Sequence, residues 1–345
     1  MSNFNFHPSF QLNGKHFKTQ LELITFSEKV SKDLYWFLQE WFSDSETLIA
    51  QTSGSTGTPK LVAINKEFME NSSKATATFF NLGTSSSVLC CLSTEYIAGK
   101  MMVVRALTMG WELDLVDPIA NPLKGVSKNY DFCAMVPMQT KASFADLHIL
   151  KKLLIGGGVV SEALQEELQK IPTLCFASYG MTETVSHIAI KKLNHFNPKT
   201  NNYYQLLPNI AISQDHRGCL IIKAPMLSEE KVITNDIVKI YSENEFEWLG
   251  RFDNVINSGG VKLHPEQIEK EISKIILQRF FVAGIKDETL GEKLILVIEG
   301  NKTNICLNQF NLSKFEIPKE IHFIPKFVET KTNKINRLKT LVLLN

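Results

Sequence analysis

At 345 residues, with 44% hydrophobic and 21% charged side chains, the chain has a soluble globular composition and the length of two or three domains. Lys+Arg of 37 against Asp+Glu of 36 leaves a formal net charge of +1, which excludes a global polybasic surface for nucleic acid or anionic membrane. Cys90, Cys91, Cys133, Cys175, Cys219 and Cys306 lack zinc-site spacing and mostly lie in apolar runs, as buried thiols of a reducing compartment do.

The first residues, Met1-Ser-Asn-Phe-Asn-Phe-His, have neither the basic start nor the apolar core of a secretory leader, and no apolar run approaches membrane-spanning length. A cytoplasmic protein without membrane insertion is expected. Leu21, Leu23, Ile24, Val30, Leu34 and Trp36 recur at helical intervals, which predicts a helix over 17–40. A short strand over 47–51 then feeds Gln51-Thr-Ser-Gly-Ser-Thr-Gly-Thr-Pro-Lys60, and a strand over 61–64 leaves it. This stretch has almost no apolar surface to bury. Gly54 and Gly57 let backbone N–H groups turn inward; Thr52, Ser53, Ser55, Thr56 and Thr58 add hydroxyls, and Lys60 adds a charge. It reads as a polyanion cradle or, on composition alone, a flexible linker. A Walker loop is excluded, because Lys60 follows Pro59 and precedes Leu61.

A helix over 66–80 opens an alternating series: strand 87–92, helix 98–109 ended by Gly110, strand 111–116, apolar runs at 131–137 and 152–155, helix 162–171 capped by Ser161, and strand 173–177. Such alternation predicts an open α/β sheet with ligand at the strand ends. Tyr96, Lys100 and Arg105 lie in this series; they either receive an anionic group of a substrate or, for the two basic residues, are charges on an amphipathic helix. Gly156, Gly157 and Gly158 let a flat ring approach the backbone, or form only a tight turn. In Ala177-Ser-Tyr-Gly-Met-Thr-Glu-Thr184, Gly180 permits a sharp turn, Tyr179 offers an aromatic face, Thr182 a hydroxyl and Glu183 a hard oxygen ligand suited to Mg²⁺.

Past residue 188 the pattern shifts to short strands at 188–192, 205–212, 218–223, 236–242 and 245–249, a β-rich subdomain. Ile233-Thr-Asn-Asp236 reads as a polar turn, where Asn235 tolerates a left-handed backbone. A second domain is expected from Arg251, with a flexible joint at Ser258-Gly-Gly260 and a helix from His264 that puts Ile268, Ile272 and Ile275 on one face. Strands over 280–285, 293–299 and 320–325 follow, with a possible helix before the last and a basic, then apolar, tail over 333–344. The expected fold class is α/β: an N-terminal domain over 1–250 of α/β sheet layers plus a β-rich subdomain, and a small mobile α+β domain over 251–345.

Together these motifs resemble the adenylate-forming superfamily of acyl-CoA synthetases, peptide-synthetase adenylation domains and luciferases. The resemblance runs through TSGSTGTPK, the triple glycine, YGMTET, Ile233-Thr-Asn-Asp236 where the family has Thr-Gly-Asp, and the twenty residues from Gly250 to Glu269. Lys334 and Arg337 keep the spacing of the family's Gly-Lys-x-x-Arg, with Asn333 in place of the glycine. The resemblance implies that the hydroxyl-rich loop holds ATP's outer phosphates. It implies that Tyr179, with Gly180 and Met181, meets adenine, that Thr182 meets phosphate and that Glu183 holds Mg²⁺. Asp236 would take the ribose hydroxyls and Arg251 the ribose or phosphate. Lys334 would be the catalytic lysine and Asp253 the pivot of a domain rotation, after which Gly259, Gly260 and Lys262 face the site while CoA reacts. YGMTETVSHIAI looks most like the o-succinylbenzoate–CoA ligases of menaquinone biosynthesis. The alternatives are another aryl or short-chain acid, a carrier-protein thiol in place of CoA, and a catalytically silent nucleotide-binding relative. The implied partners are a small carboxylic acid, ATP and CoA, with a homo-oligomer possible.

Overall fold

A computed structural model describes residues 6–51, 61–197, 202–276, 278–330 and 335–344. A small hairpin, β1 (Gln11–Leu12) and β2 (Lys15–His16), precedes two helices in place of the single one expected. Ser31 is the cause. Its extended backbone ends α1 (Gln20–Val30), and its hydroxyl caps α2 (Lys32–Trp41) by accepting from the Leu34 N–H. The break leaves Leu21 and Trp36 exposed while Leu23, Leu34, Phe37, Leu38 and Trp41 are buried. β3 (Thr47–Gln51) and β4 (Leu61–Asn65) then pair antiparallel as a two-stranded ribbon that joins neither larger sheet. Asn65 caps α3 (Lys66–Phe80).

The alternating series follows as β5 (Ser87–Cys90), α4 (Ile97–Met109), β6 (Glu112–Leu115), β7 (Tyr130–Met135), α5 (Pro137–Ala142), β8 (Leu150–Ile155), α6 (Glu162–Leu168) and β9 (Leu174–Gly180). Five parallel strands lie in the spatial order β6-β5-β7-β8-β9, so the winding reverses between β5 and β7. In such a sheet the ligand crevice lies outside the carboxyl ends of the strands at the reversal. The sheet continues antiparallel through β10 (His187–Lys192), β11 (Tyr204–Leu206), β12 (Ala211–Gln214), β13 (Cys219–Lys223), β14 (Val232–Ser242) and β15 (Glu245–Arg251), and with β1 parallel to β6 at the other edge and β2 beyond it reaches 13 strands. The strand expected over 205–212 is two strands, parted around Pro208, which has no N–H to give a ladder, and Asn209 at φ 63°. The turn expected at Asn235 is absent: the residue is an extended part of β14.

The remainder builds a second sheet from β16 (Ile256–Ser258), β17 (Val261–Leu263), β18 (Phe280–Asp287), β19 (Gly291–Glu299) and β20 (Glu320–Ile324), with α7 (Pro265–Ile272) and α8 (Arg337–Leu341) beside it. This smaller α+β unit has its own core, in which Leu263, Ile268 and Ile272 meet Val282, Leu294 and Leu296. Two expectations are corrected here. Gly259 and Gly260, at φ 57° and 81°, are no joint between domains but the tip of the β16–β17 hairpin, and the Gly259 N–H is tied to Leu290 O at 2.9 Å. The stretch that crosses between the sheets is 252–255. Ile275 is exposed, because α7 stops at Ile272 and Ile276 takes the buried position. Between β19 and β20 the described residues contain one 3₁₀ turn, Leu307–Gln309, rather than a helix.

Five of the six cysteines are buried; Cys306 is exposed. Among the described residues no helix is long and apolar enough to cross a membrane.

Candidate active site

The predicted phosphate-loop residues Thr52, Ser53, Gly54, Ser55, Thr56, Gly57 and Lys60 lie outside the described residues, as does Lys334. The site is therefore built from what surrounds them. β8 and β9 run parallel with Ile155 beside Ala177, so Gly156, Gly157 and Gly158 lie next to the end of β9, which carries Tyr179 and Gly180. A methyl on Gly156 would sit 2.5 Å from Ser178 Oγ. One on Gly180 would sit 2.3 Å from the Ser186 carbonyl oxygen, so only glycine lets the chain double back there.

Three separated stretches of sequence converge at Tyr179. Its phenol donates to Asp236 Oδ2 at 2.7 Å, and Trp248 Nε1 donates to Asp236 Oδ1 at 3.2 Å. Arg251 stands 3.6 Å from Asp236 through Nη1 and 3.2 Å from Asp253 through Nη2. Burial, reinforced by the charge of Asp236, pushes the Tyr179 phenol far above its usual range, which keeps it a neutral donor. Arg251 Nε is buried with no hydrogen-bond partner among the described residues. The cluster thus offers an aromatic ring, a buried carboxylate and a guanidinium with unused donor capacity.

Thr182, Glu183 and Thr184 form a 3₁₀ turn that ends at Val185. Val185 is buried and has φ 65°, an outlier for a β-branched residue, and the Ser186 N–H bonds Thr184 O at 2.6 Å across it. Met181 is half-buried. The Glu183 carboxylate is exposed and makes no side-chain hydrogen bond among the described residues, where no group of three His, Cys, Asp or Glu could hold a metal ion. A single exposed carboxylate fits Mg²⁺, which is held by one or two carboxylates together with phosphate oxygens and water.

Beyond that turn lies a polar network the sequence did not announce. Arg105, 3% exposed, donates from Nε to Thr76 Oγ1 at 3.2 Å and from Nη2 to Ser186 Oγ at 2.6 Å. His187 Nδ1 lies 3.5 Å from Arg105 Nη2, and its Nε2 lies 3.2 Å from Thr76 Oγ1. Burial and then the Arg105 charge hold His187 well below the usual histidine range, so the ring is neutral. With Nδ1 accepting from Arg105 and Nε2 donating to Thr76, every contact is satisfied. Burial also lowers Arg105, to about 10, which leaves it charged at neutral pH. His187 lines a cavity of about 300 Å³ between α3 and residues 207–210 and 226–227; its walls include Leu207, Ile210 and Leu227, and Ser72, whose buried hydroxyl has no partner among the described residues. Of this network the sequence marks Arg105, and Ser72 and Thr76, four apart on one helix face, are the further signal it carries.

Lys100 does not join that network. It is five residues from Arg105, about 140° round the helix. Its Nζ is 3.5 Å from Glu40 Oε2 and 3.4 Å from Ile49 O, over the Phe37 ring. Tyr96, the N-terminal flank of α4, is half-buried.

At the crossing between sheets, Asp253 accepts from Asn235 Nδ2 at 3.2 Å, and Asn235 Oδ1 accepts from Arg217 Nη1 at 2.9 Å. Arg217 also pairs with Asp215 at 2.8 Å and lies over the Phe252 ring. Lys262 is exposed on β17. α7 meets β15 of the large sheet through Gln267 Nε2 to Leu249 O at 3.0 Å, and α6 through Lys270 to Glu162 at 3.5 Å. Past β20, Glu329 and Ile335 bridge antiparallel, and Arg337 Nη2 bonds Glu269 Oε2 at 2.8 Å.

Residues 39–213 match the family described as AMP-binding enzyme. Among curated proteins the chain is 24% identical over 313 residues to the 2-succinylbenzoate–CoA ligase of Lactococcus lactis, covering 84% of this chain and 69% of that protein. It is 25% identical to the enzyme of the same name from Listeria monocytogenes, covering 96% and 80%. Among solved structures it is 38% identical to an acyl-CoA synthetase (AMP-forming)/AMP-acid ligase II-like protein from Dyadobacter fermentans, with a TM-score of 0.60 over 91% of this chain and 94% of that one. The o-succinylbenzoate coenzyme A synthetase of Bacillus subtilis, solved with ATP and magnesium ion, has a TM-score of 0.75 at 18% identity, covering 94% and 82%.

Proposed function

The chain belongs to the AMP-binding enzyme family and is an AMP-forming acid–thiol ligase of that superfamily; from this premise we propose that it activates o-succinylbenzoate with ATP and transfers the acyl group to CoA. The observation that carries the nucleotide half is the meeting of Tyr179, Asp236 and Arg251 beside the triple glycine at the strand ends. The observation that favours an acid with a second anionic group is buried, charged Arg105 behind a cavity of about 300 Å³ lined by His187 and Ser72.

Joining a carboxylate to a thiol is uphill until the carboxyl oxygen becomes part of a good leaving group. Attack of the carboxylate on ATP's α-phosphate, with loss of pyrophosphate, supplies that. No protein nucleophile is needed, so the residues act by position and charge. On this reading residues 52–60 hold the leaving phosphates, Tyr179 flanks the adenine and Asp236 accepts from the ribose hydroxyls. Arg251 reaches ribose or phosphate, and Lys334 bridges the carboxylate and the α-phosphate. Magnesium held at Glu183 would neutralise phosphate charge. The acid's tail enters the cavity, and the charge of Arg105 behind its wall favours a distal carboxylate there. Residues 1–250 form the body, and 251–345 turn about Asp253 to exchange Lys334 for the CoA-facing loop.

ATP–pyrophosphate exchange across a panel of carboxylic acids, followed by a CoA-dependence assay, tests the proposal. Exchange is expected with o-succinylbenzoate and thioester only with CoA. Exchange confined to monocarboxylates would favour the second reading, a ligase of another aryl or short-chain acid, which the general description of the 38%-identical Dyadobacter protein keeps in view.

A further inference from the structure

The β3–β4 ribbon, whose two strands are joined by the predicted phosphate loop, is hydrogen-bonded to neither large sheet. A two-stranded hairpin alone is marginal in water, so its fixed position needs other contacts. Leu48, Ala50 and Ile64 supply part of the hold by burying their side chains in the core. Ile49 turns the other way, with its side chain exposed. Both of its backbone polar groups are nevertheless occupied: the Ile49 N–H donates to Glu40 Oε1 at 2.9 Å, and Lys100 Nζ donates to the Ile49 carbonyl at 3.4 Å. Glu40 and Lys100 are themselves paired at 3.5 Å, from two helices that bury Phe37, Leu38 and Trp41 on one side and Met101 to Val104 on the other.

We infer that Glu40 and Lys100 act as a clamp that takes the place of a third strand at Ile49, fixing the ribbon and thereby the phosphate loop, and that Lys100 serves ATP rather than the acid. An edge strand exposes unpaired N–H and C=O groups along one side. Here a carboxylate meets the donor and an ammonium meets the acceptor of one residue, the arrangement a neighbouring strand would provide. The Lys100 side chain is 10% exposed and that of Glu40 34%, so the pair is shielded enough to hold one geometry. Lys100 is a positioning residue: it touches no reacting atom.

This inference rests on reading residues 52–60 as the phosphate loop, and its test has one arm that does not. Lys100→Met keeps the apolar stem, and Glu40→Gln keeps the shape while losing the charge. In ATP–pyrophosphate exchange, each is expected to raise the KM for ATP about 5–20-fold, the scale of one or two charge-assisted hydrogen bonds. The KM for the acid should stay within about twofold of the parent's, and the double variant should be no worse than the worse single one, as befits a coupled unit. Arg105→Met is expected to do the reverse, raising the acid's KM and sparing that for ATP. A rise in the acid's KM with Lys100→Met, and none for ATP, would overturn the clamp. The independent arm is hydrogen exchange of the amides of β3 and β4, expected to quicken about tenfold in either variant. Unchanged exchange overturns the clamp whatever the substrate proves to be.

Discussion

Asn235 Nδ2 donates to Asp253 Oδ2 at 3.2 Å, so the strand residue standing where the family pattern has glycine grips the proposed pivot. Glycine could make no such contact. The grip extends backwards, because Asn235 Oδ1 accepts from Arg217, which pairs with Asp215 and covers Phe252. Asn235→Gly should release Asp253 to Arg251 alone, at a further cost of about 0.5–1 kcal/mol for glycine within a strand. Backbone amides of 252–257 are expected to exchange several-fold faster. Parent-like exchange would show that Arg251 is sufficient to fix the crossing.

Asp236 is the single acceptor for two partly buried donors, the Tyr179 phenol and the Trp248 indole. Asp236→Ala strands both and should lower stability by about 1–3 kcal/mol, seen as a fall in Tm. The KM for ATP should rise about 10–100-fold. Tyr179→Phe removes one donor and its own hydroxyl, so its Tm should fall by less. A KM for ATP unmoved by Asp236→Ala would remove this carboxylate from the nucleotide site.

These two clusters mark what was legible in the chain. Periodicity gave the alternating α/β series because each strand is short, apolar and bounded by turn residues. The family resemblance pointed to Tyr179, Asp236, Arg251 and Asp253, which meet although up to 74 residues separate them in sequence. Asn235 was misread as a turn because its left-handed tolerance is a local property, whereas pairing of β14 with its neighbours is not. Lys100 was grouped with Arg105 because both are basic on one helix; only packing shows that one faces the ribbon and the other faces Thr76 and Ser186. The split of the first helix at Ser31 was written in the sequence, as a capping residue inside a continuous apolar pattern.

Glu269 provides a pH test. Burial pushes its carboxyl up to about 7, with Arg337 and the Val282 N–H opposing the shift. A folded-state value above the unfolded one means that the native state holds the proton more tightly. The group's contribution to stability is therefore complete below about pH 4.5 and is lost as the pH rises through about 7. Glu269→Gln cannot titrate but keeps the shape. The parent's Tm relative to that of the variant should fall between pH 5 and pH 8. A difference that is flat, or that grows with pH, would mean that Arg337 holds Glu269 ionised throughout.

Under the proposed function, variants of Lys334 and Arg337 are expected to tell the two half-reactions apart. Arg337 binds Glu269 on α7 and the Val282 carbonyl, and Ile335, next to Lys334 in sequence, bridges antiparallel to Glu329. Lys334→Ala should reduce acyl-adenylate formation about 10²–10³-fold, the scale of one preorganised charge contact in the transition state. Thioester formation from supplied acyl-adenylate should persist, because the lysine has no part in attack by the thiol. Arg337→Met should weaken adenylate formation by loosening the segment that follows Lys334, with a smaller loss and a lowered Tm. Glu269→Gln should reproduce part of the loss at pH 8, where the parent pair is charged, and less of it at pH 6. Equal loss of both half-reactions in Lys334→Ala would reassign the catalytic lysine. A parent-like adenylation rate in Arg337→Met would confine the Arg337–Glu269 pair to holding the small domain together.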